Sequence, residues 1–173
     1  PARHKLTLLA LIAAGEAAFF LPFLVARVFR PTVLEVFDLT NLELGTAYSV
    51  YGIVAMFAYF GGGPLADRFG ARKMLTIALL TTAAGGGVLF TIPTLSTLML
   101  LYAYWGVTTI ALFWAPLIRA TREWGGDDEQ GAAFGLLDGG RGLLAAVTGS
   151  IMVVVFAALL PINPELAKLE QRK

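Results

Sequence analysis

Apolar residues run along this chain in five long blocks, separated by short stretches of charge, glycine or proline. The blocks cover about Leu6 to Phe29, Asn41 to Phe60, Met74 to Ile92, Leu95 to Ile118 and Gly131 to Leu160. At 1.5 Å per residue the first reaches roughly 36 Å, enough to cross a ~30 Å hydrocarbon core with some tilt. The pattern predicts an all-α membrane protein with five transmembrane helices.

The breaks carry their own signals. Arg30 and Pro31 close the first block, and Pro31 to Thr40 reads as a loop. Thr40-Asn41-Leu42-Glu43 is a capping box, in which Thr40 accepts from the Glu43 amide while Glu43 reaches back. Gly61-Gly62-Gly63-Pro64 is expected to stop the second helix, and Gly70 to make a tight reversal at positive φ. Gly85-Gly86-Gly87 in the third block predicts close packing against a neighbour. Pro93 and Thr94 make a turn. Arg119 to Gln130 reads as a polar loop, with Asp127 and Gln130 spaced to cap the fifth helix. Gly131, Gly135 and Gly139 form a stripe expected to face another helix. Pro161 ends the fifth block, and Asn163-Pro164-Glu165 starts a short amphipathic helix that stops at Lys173. The chain thus divides into a bundle, 1–162, and a tail, 163–173.

Composition agrees with the pattern. The 173 residues are 57% hydrophobic and 14% charged, against roughly 25% charged in a soluble domain. Mean hydropathy is +0.74. A net charge of +1 gives no reason to expect a nucleic acid or an acidic partner. There is no cysteine, and the single histidine, His4, stands beside Lys5 without company for a metal site. No nucleophile with a base, no metal-ligand spacing and no phosphate loop suggests an enzyme, and nothing calls for a cofactor.

Charge concentrates most tightly at Gly63-Pro64-Leu65-Ala66-Asp67-Arg68-Phe69-Gly70-Ala71-Arg72-Lys73. The bland reading is a polar hairpin between two membrane helices. The pattern of Gly63, Asp67, Arg68, Gly70, Arg72 and Lys73 resembles the signature loop of the major facilitator superfamily, which joins the second and third helices on the cytoplasmic side. Ala71 replaces the basic residue usual at that place. The resemblance covers Leu6 to about Ile162. It implies the first five helices of a major facilitator fold, with the sixth helix absent. In that family each half holds six helices, built as two inverted three-helix repeats around a midplane site. A sixth span is then expected beyond Lys173, with a second half or partner membrane subunits completing the protein.

Orientation follows from short-loop charge. With the N-terminus cytoplasmic, the inner segments hold Arg3, Lys5, Arg68, Arg72, Lys73, Arg119 and Arg122, the outer loops Arg30 and Arg27, and the outer tail adds Lys168, Arg172 and Lys173, which weakens the bias; the short loops and the signature resemblance set the orientation. A multi-pass protein of the cell (inner) membrane is expected.

A finer likeness joins Trp114-Ala115-Pro116 and Phe134 to Gly142 to the family branch that moves sugar phosphates and other organic anions. It implies basic residues at Arg27 and Arg141. Arg141 lies roughly 16 Å into the fifth span, where a charge faces a cavity or a partner. Asp138, three residues earlier, stands on the same helix face. Two readings stay open: Arg141 binds a small anionic substrate while Asp138 holds it, or the two neutralise each other as a structural pair. Glu16, near mid-depth in the first span, is a candidate proton carrier, because a carboxyl taken out of water tends towards its neutral form; a hydrogen bond to a neighbouring helix is the alternative. Arg27 either contacts substrate or reaches out to the headgroups. For the whole chain, secondary transport of a small organic anion competes with a non-transporting scaffold subunit derived from the same family.

Overall fold

The computed structural model describes residues 2–159. It contains five helices long and apolar enough to cross a membrane: His4–Val28, Asn41–Phe69, Ala71–Thr91, Leu95–Gly125 and Gln130–Leu159. The expected all-α class and the five spans are therefore observed. The expected tail helix and the stop at Pro161 lie outside the described residues.

Three expected loops are largely helical. Pro31 to Thr40 contains a short helix, Arg30–Val36, with Pro31 in its first turn, where a missing N–H costs nothing. The second span does not stop at Gly61 to Pro64 but runs on to Phe69. Its 29 residues reach roughly 43 Å, so its last turns leave the hydrocarbon and lie at headgroup depth. The fourth span likewise continues through Arg119 to Gly125. The true reversals are short. Gly70, at φ 75°, is the only residue between the second and third spans, as its freedom at positive φ predicts. Gly126, at φ 61°, opens the turn before the fifth.

The fourth span is the axis, touching each of the other four. Near the Gly70 end, Phe113 and Leu117 of this helix pack with Leu11 and Ala18 of the first, Leu75 and Ala78 of the third and Leu137 of the fifth. Toward the other end, Leu98, Leu101, Tyr102 and Trp105 pack with Leu44 and Ala47 of the second. Outward faces carry large apolar side chains, among them Phe60, Leu80, Phe90, Leu143 and Val154. That is the order expected where lipid is the solvent. The fifth span rests mainly on the first and fourth and is the least enclosed.

In a bilayer, backbone groups released by an irregular helix need partners from within the protein. The first span widens into a π-helical turn at Phe20–Leu24 around Pro22, and the fourth does so at Val107–Trp114, just before Pro116. Tyr102 answers the first by donating to the Pro22 carbonyl at 2.7 Å. Trp105 donates Nε1–H to the Thr82 carbonyl at 3.0 Å. Gly85 makes that reach possible, since a Cβ there would stand 2.7 Å from the same indole nitrogen. Thr82 donates in turn to Thr108 at 2.9 Å, and Tyr51 shares a 2.9 Å bond with Thr109.

Two glycine expectations divide. Gly85 and Gly86 meet neighbouring side chains, as the run predicts, and Gly87 does not. The Gly131, Gly135 and Gly139 stripe faces open space, with nothing within 4 Å of any of the three. Close helix contact instead falls at Gly140 against Ile12 and Gly149 against Val28. Periodicity identifies a bare stripe but does not say which way it points. The capping box forms as expected: the Thr40 amide donates to Glu43 at 2.7 Å and the Glu43 amide to Thr40 at 3.2 Å. Gln130 turns the other way, its amide donating back to the carbonyls of Arg122 and Gly126 and so closing the fourth span.

Candidate functional site

Two clusters carry charge in this bundle. The first sits at the Gly70 end. Helix continuation through Pro64 brings Asp67 level with Arg119 on the fourth span, 3.4 Å apart. The same Arg119 Nη1 donates to the Ala66 carbonyl at 2.9 Å, and its Nε to Glu123 at 2.8 Å. One planar guanidinium thus holds a backbone carbonyl and two carboxylates. Among the described residues, Arg119 and not Arg72 or Arg122 is the cation that pairs with Asp67. Gly62 makes the approach possible: a Cβ there would lie 3.2 Å from the Ala111 carbonyl oxygen and 3.3 Å from Ala111 Cα. Gly63, the glycine of the signature pattern, has open space beside it. Arg68 lies over the Phe69 ring at 5.5 Å. Arg72 and Lys73 are exposed in the first turn of the third span. Nearby, His4 stacks on Trp124 at 4.4 Å, and Trp124 donates to the His4 carbonyl at 2.7 Å.

The second cluster lies in the middle of the first, fourth and fifth spans. Arg141 leans across Gly15 of the first span, where a Cβ would come 2.7 Å from the arginine Cδ. Its guanidinium carbon lies 5.5 Å from the centres of both the Phe19 and Trp114 rings. These two aromatics meet edge to face at 6.1 Å. A cation between ring faces is stabilised by their quadrupoles, more so away from water. Nη1 stands 3.4 Å from Asp138, whose side chain is 69% exposed. Nε is buried and has no hydrogen-bond partner among the described residues. The arginine is therefore enclosed but only loosely neutralised.

Glu16 follows Gly15 and is buried. It lines a groove of about 400 Å³ between the first and fifth spans, with Phe20, Leu144 and Thr148. Arg27 is exposed and lies roughly 18 Å along the helix axis from Gly15. The structure joins Arg141 with Asp138, and Glu16 follows the glycine that Arg141 leans across, with Arg27 about three turns further along the first helix. Sequence reading missed Phe19, Trp114 and Gly15 as the walls around Arg141. The available signal was their spacing: Gly15 and Phe19 are one turn apart on one helix face. Among the described residues no group of histidines and carboxylates could hold a metal.

Five long apolar helices, a one-residue reversal at Gly70 and an arginine in mid-span lying against the first and fourth helices describe a multi-pass membrane bundle. The chain belongs to the major facilitator superfamily, whose family model matches residues 6–162. It is 29% identical over 159 residues to the inner membrane protein YqcE of Escherichia coli K12, covering 92% of this chain and 37% of that protein. It is 30% identical over 146 residues to the inner membrane protein YihN of the same organism, covering 84% of this chain and 34% of that protein. An uncharacterised MG294 homologue of Mycoplasma pneumoniae is 26% identical over 172 residues, 90% of this chain and 34% of its own length. The chain thus spans about a third of the length of these curated relatives. No solved structure matches it.

Proposed function

We propose that this chain supplies one wall of a major facilitator transporter of the inner membrane that moves a small organic anion by alternating access. Five helices form one incomplete bundle, and alternating access needs a second bundle to rock against. The second half of the same polypeptide, or a partner membrane subunit, fills that role. One observation carries the reading: Arg141 is enclosed at mid-depth, its buried Nε has no hydrogen-bond partner among the described residues, and it makes a 3.4 Å contact to a mostly exposed Asp138. A cation held so loosely in the membrane retains donors for an incoming carboxylate, phosphate or sulfonate. Asp138 neutralises it when the site is empty. Glu16 lines the neighbouring groove and carries the coupling proton. Arg27, well away along the first helix, assists where the anion enters rather than at the same atoms. The names of the two Escherichia coli relatives support the inner membrane. Short-loop charge supports a cytoplasmic Gly70 end; labelling of a cysteine placed at Ala71 from outside intact cells would reverse that orientation.

The test is a pair of variants in the full-length protein. Arg141→Lys inserts and folds yet loses most transport, because an ammonium cannot reproduce the planar fork. Exchange of the two charges, Asp138→Arg with Arg141→Asp, also abolishes it. Robust anion transport by the exchanged protein would reduce the two residues to a packing pair.

A further inference from the structure

Two depressions meet at the Gly70 end, away from the Arg141 cluster. One, about 590 Å³, is lined by Gly70, Arg72, Lys73 and Thr76. The other, about 220 Å³, is apolar and runs between the second, third and fourth spans, lined by Leu65, Met74 and Leu112. Phe69, Lys73 and Ile77 line both, so the two depressions adjoin, and Arg72 and Lys73 are the charged side chains of an otherwise largely apolar mouth. Phe69 is 50% and Ile77 44% exposed. Neither Arg72 nor Lys73 forms an ion pair among the described residues, while the carboxylates of Asp67 and Glu123 are both held by Arg119. Arg68 lies against Phe69 and adds a third positive charge at the rim.

A bilayer places one kind of molecule at such a boundary: a phosphate at headgroup depth joined to an apolar chain that points inward. Free cations at the mouth select for net negative headgroups, since a zwitterionic headgroup brings its own ammonium. We propose that the hairpin end Phe69–Ile77 binds one anionic glycerophospholipid, its headgroup held by Arg72 and Lys73 and part of an acyl chain laid between Leu65, Ile77 and Leu112. The site is separate from the substrate cluster and does not depend on transport. It lies one residue from Arg68 and two from Asp67, so a bound lipid adds its charge beside the Asp67–Arg119 contact.

The experiment is native mass spectrometry of the full-length protein in detergent, titrated with dioleoyl phosphatidylglycerol, dioleoyl phosphatidylcholine or inorganic phosphate. One phosphatidylglycerol is expected to be retained in preference to phosphatidylcholine. Arg72→Gln with Lys73→Gln weakens it about thirtyfold, roughly fivefold per cation, while Arg72→Lys with Lys73→Arg keeps it. Ile77→Trp, which fills the groove and leaves the cations in place, removes it as well. The proposal fails if Ile77→Trp binds as the wild type does, since the groove would then hold nothing. It fails equally if inorganic phosphate displaces the lipid at matched concentration, or if the two lipids bind alike.

Discussion

Arg119 and Asp67 meet at 3.4 Å across the ends of the fourth and second spans, and Arg119 also holds the Ala66 carbonyl at 2.9 Å. The contact links the signature hairpin to the helix at the centre of the bundle. Because the pair is open to solvent, its effect on stability is small. Its position, where two helices must separate or slide if the bundle changes shape, gives it leverage over conformational balance.

In the full-length protein, Asp67→Asn is therefore expected to slow substrate cycling without weakening substrate binding. The expected slowing is about two- to thirtyfold, the range of coupling changes at residues remote from a ligand. Uptake rate and binding affinity measured side by side check this. An unchanged rate with a lowered affinity contradicts it.

The three adjacent glycines Gly61, Gly62 and Gly63 should separate cleanly. Gly62→Val drives atoms into the backbone of Ala111, which cannot swing aside, and is expected to cost about 1–3 kcal/mol. Gly61→Ala and Gly63→Ala enter open space on the same helix and should be neutral or stabilising by up to about 1 kcal/mol. Unfolding of the three variants in detergent decides the matter. Equal loss in all three would mean that the helix does not run through this segment as described.

Tyr102→Phe removes the donor from the Pro22 carbonyl in the buried core. The expected loss is about 0.6–1.7 kcal/mol, the scale of single hydrogen bonds between membrane helices. Tyr59→Phe, on a side chain 56% exposed at the outer face, is the control and should change nothing measurable. Equal stability of the two variants would show that the π-helical turn at Pro22 needs no partner.

Glu16→Gln keeps the shape of the buried side chain and removes its proton. If Glu16 couples transport to protons, the variant no longer accumulates substrate along an imposed pH gradient but still exchanges it at equal pH on both sides. Gradient-driven accumulation by Glu16→Gln would rule the role out.

Five spans and an all-α bundle could be read directly from the chain, because lipid demands long unbroken apolar runs and punishes charge within them. The reversal at Gly70 and the Thr40–Glu43 cap were equally legible, since each rests on the local chemistry of one or two residues. The run of helix through Gly61 to Pro64 was not. Local propensity argued for a stop there, and the contact of Gly62 with Ala111, remote in sequence, overrode it. The outward turn of the Gly131, Gly135 and Gly139 stripe was hidden for the same reason: a helix pattern records spacing but not the azimuth set by its neighbours. Arg141 and Asp138 could be paired by their three-residue spacing alone. The enclosure of Arg141 by Gly15, Phe19 and Trp114 could not, because it depends on how three helices cross.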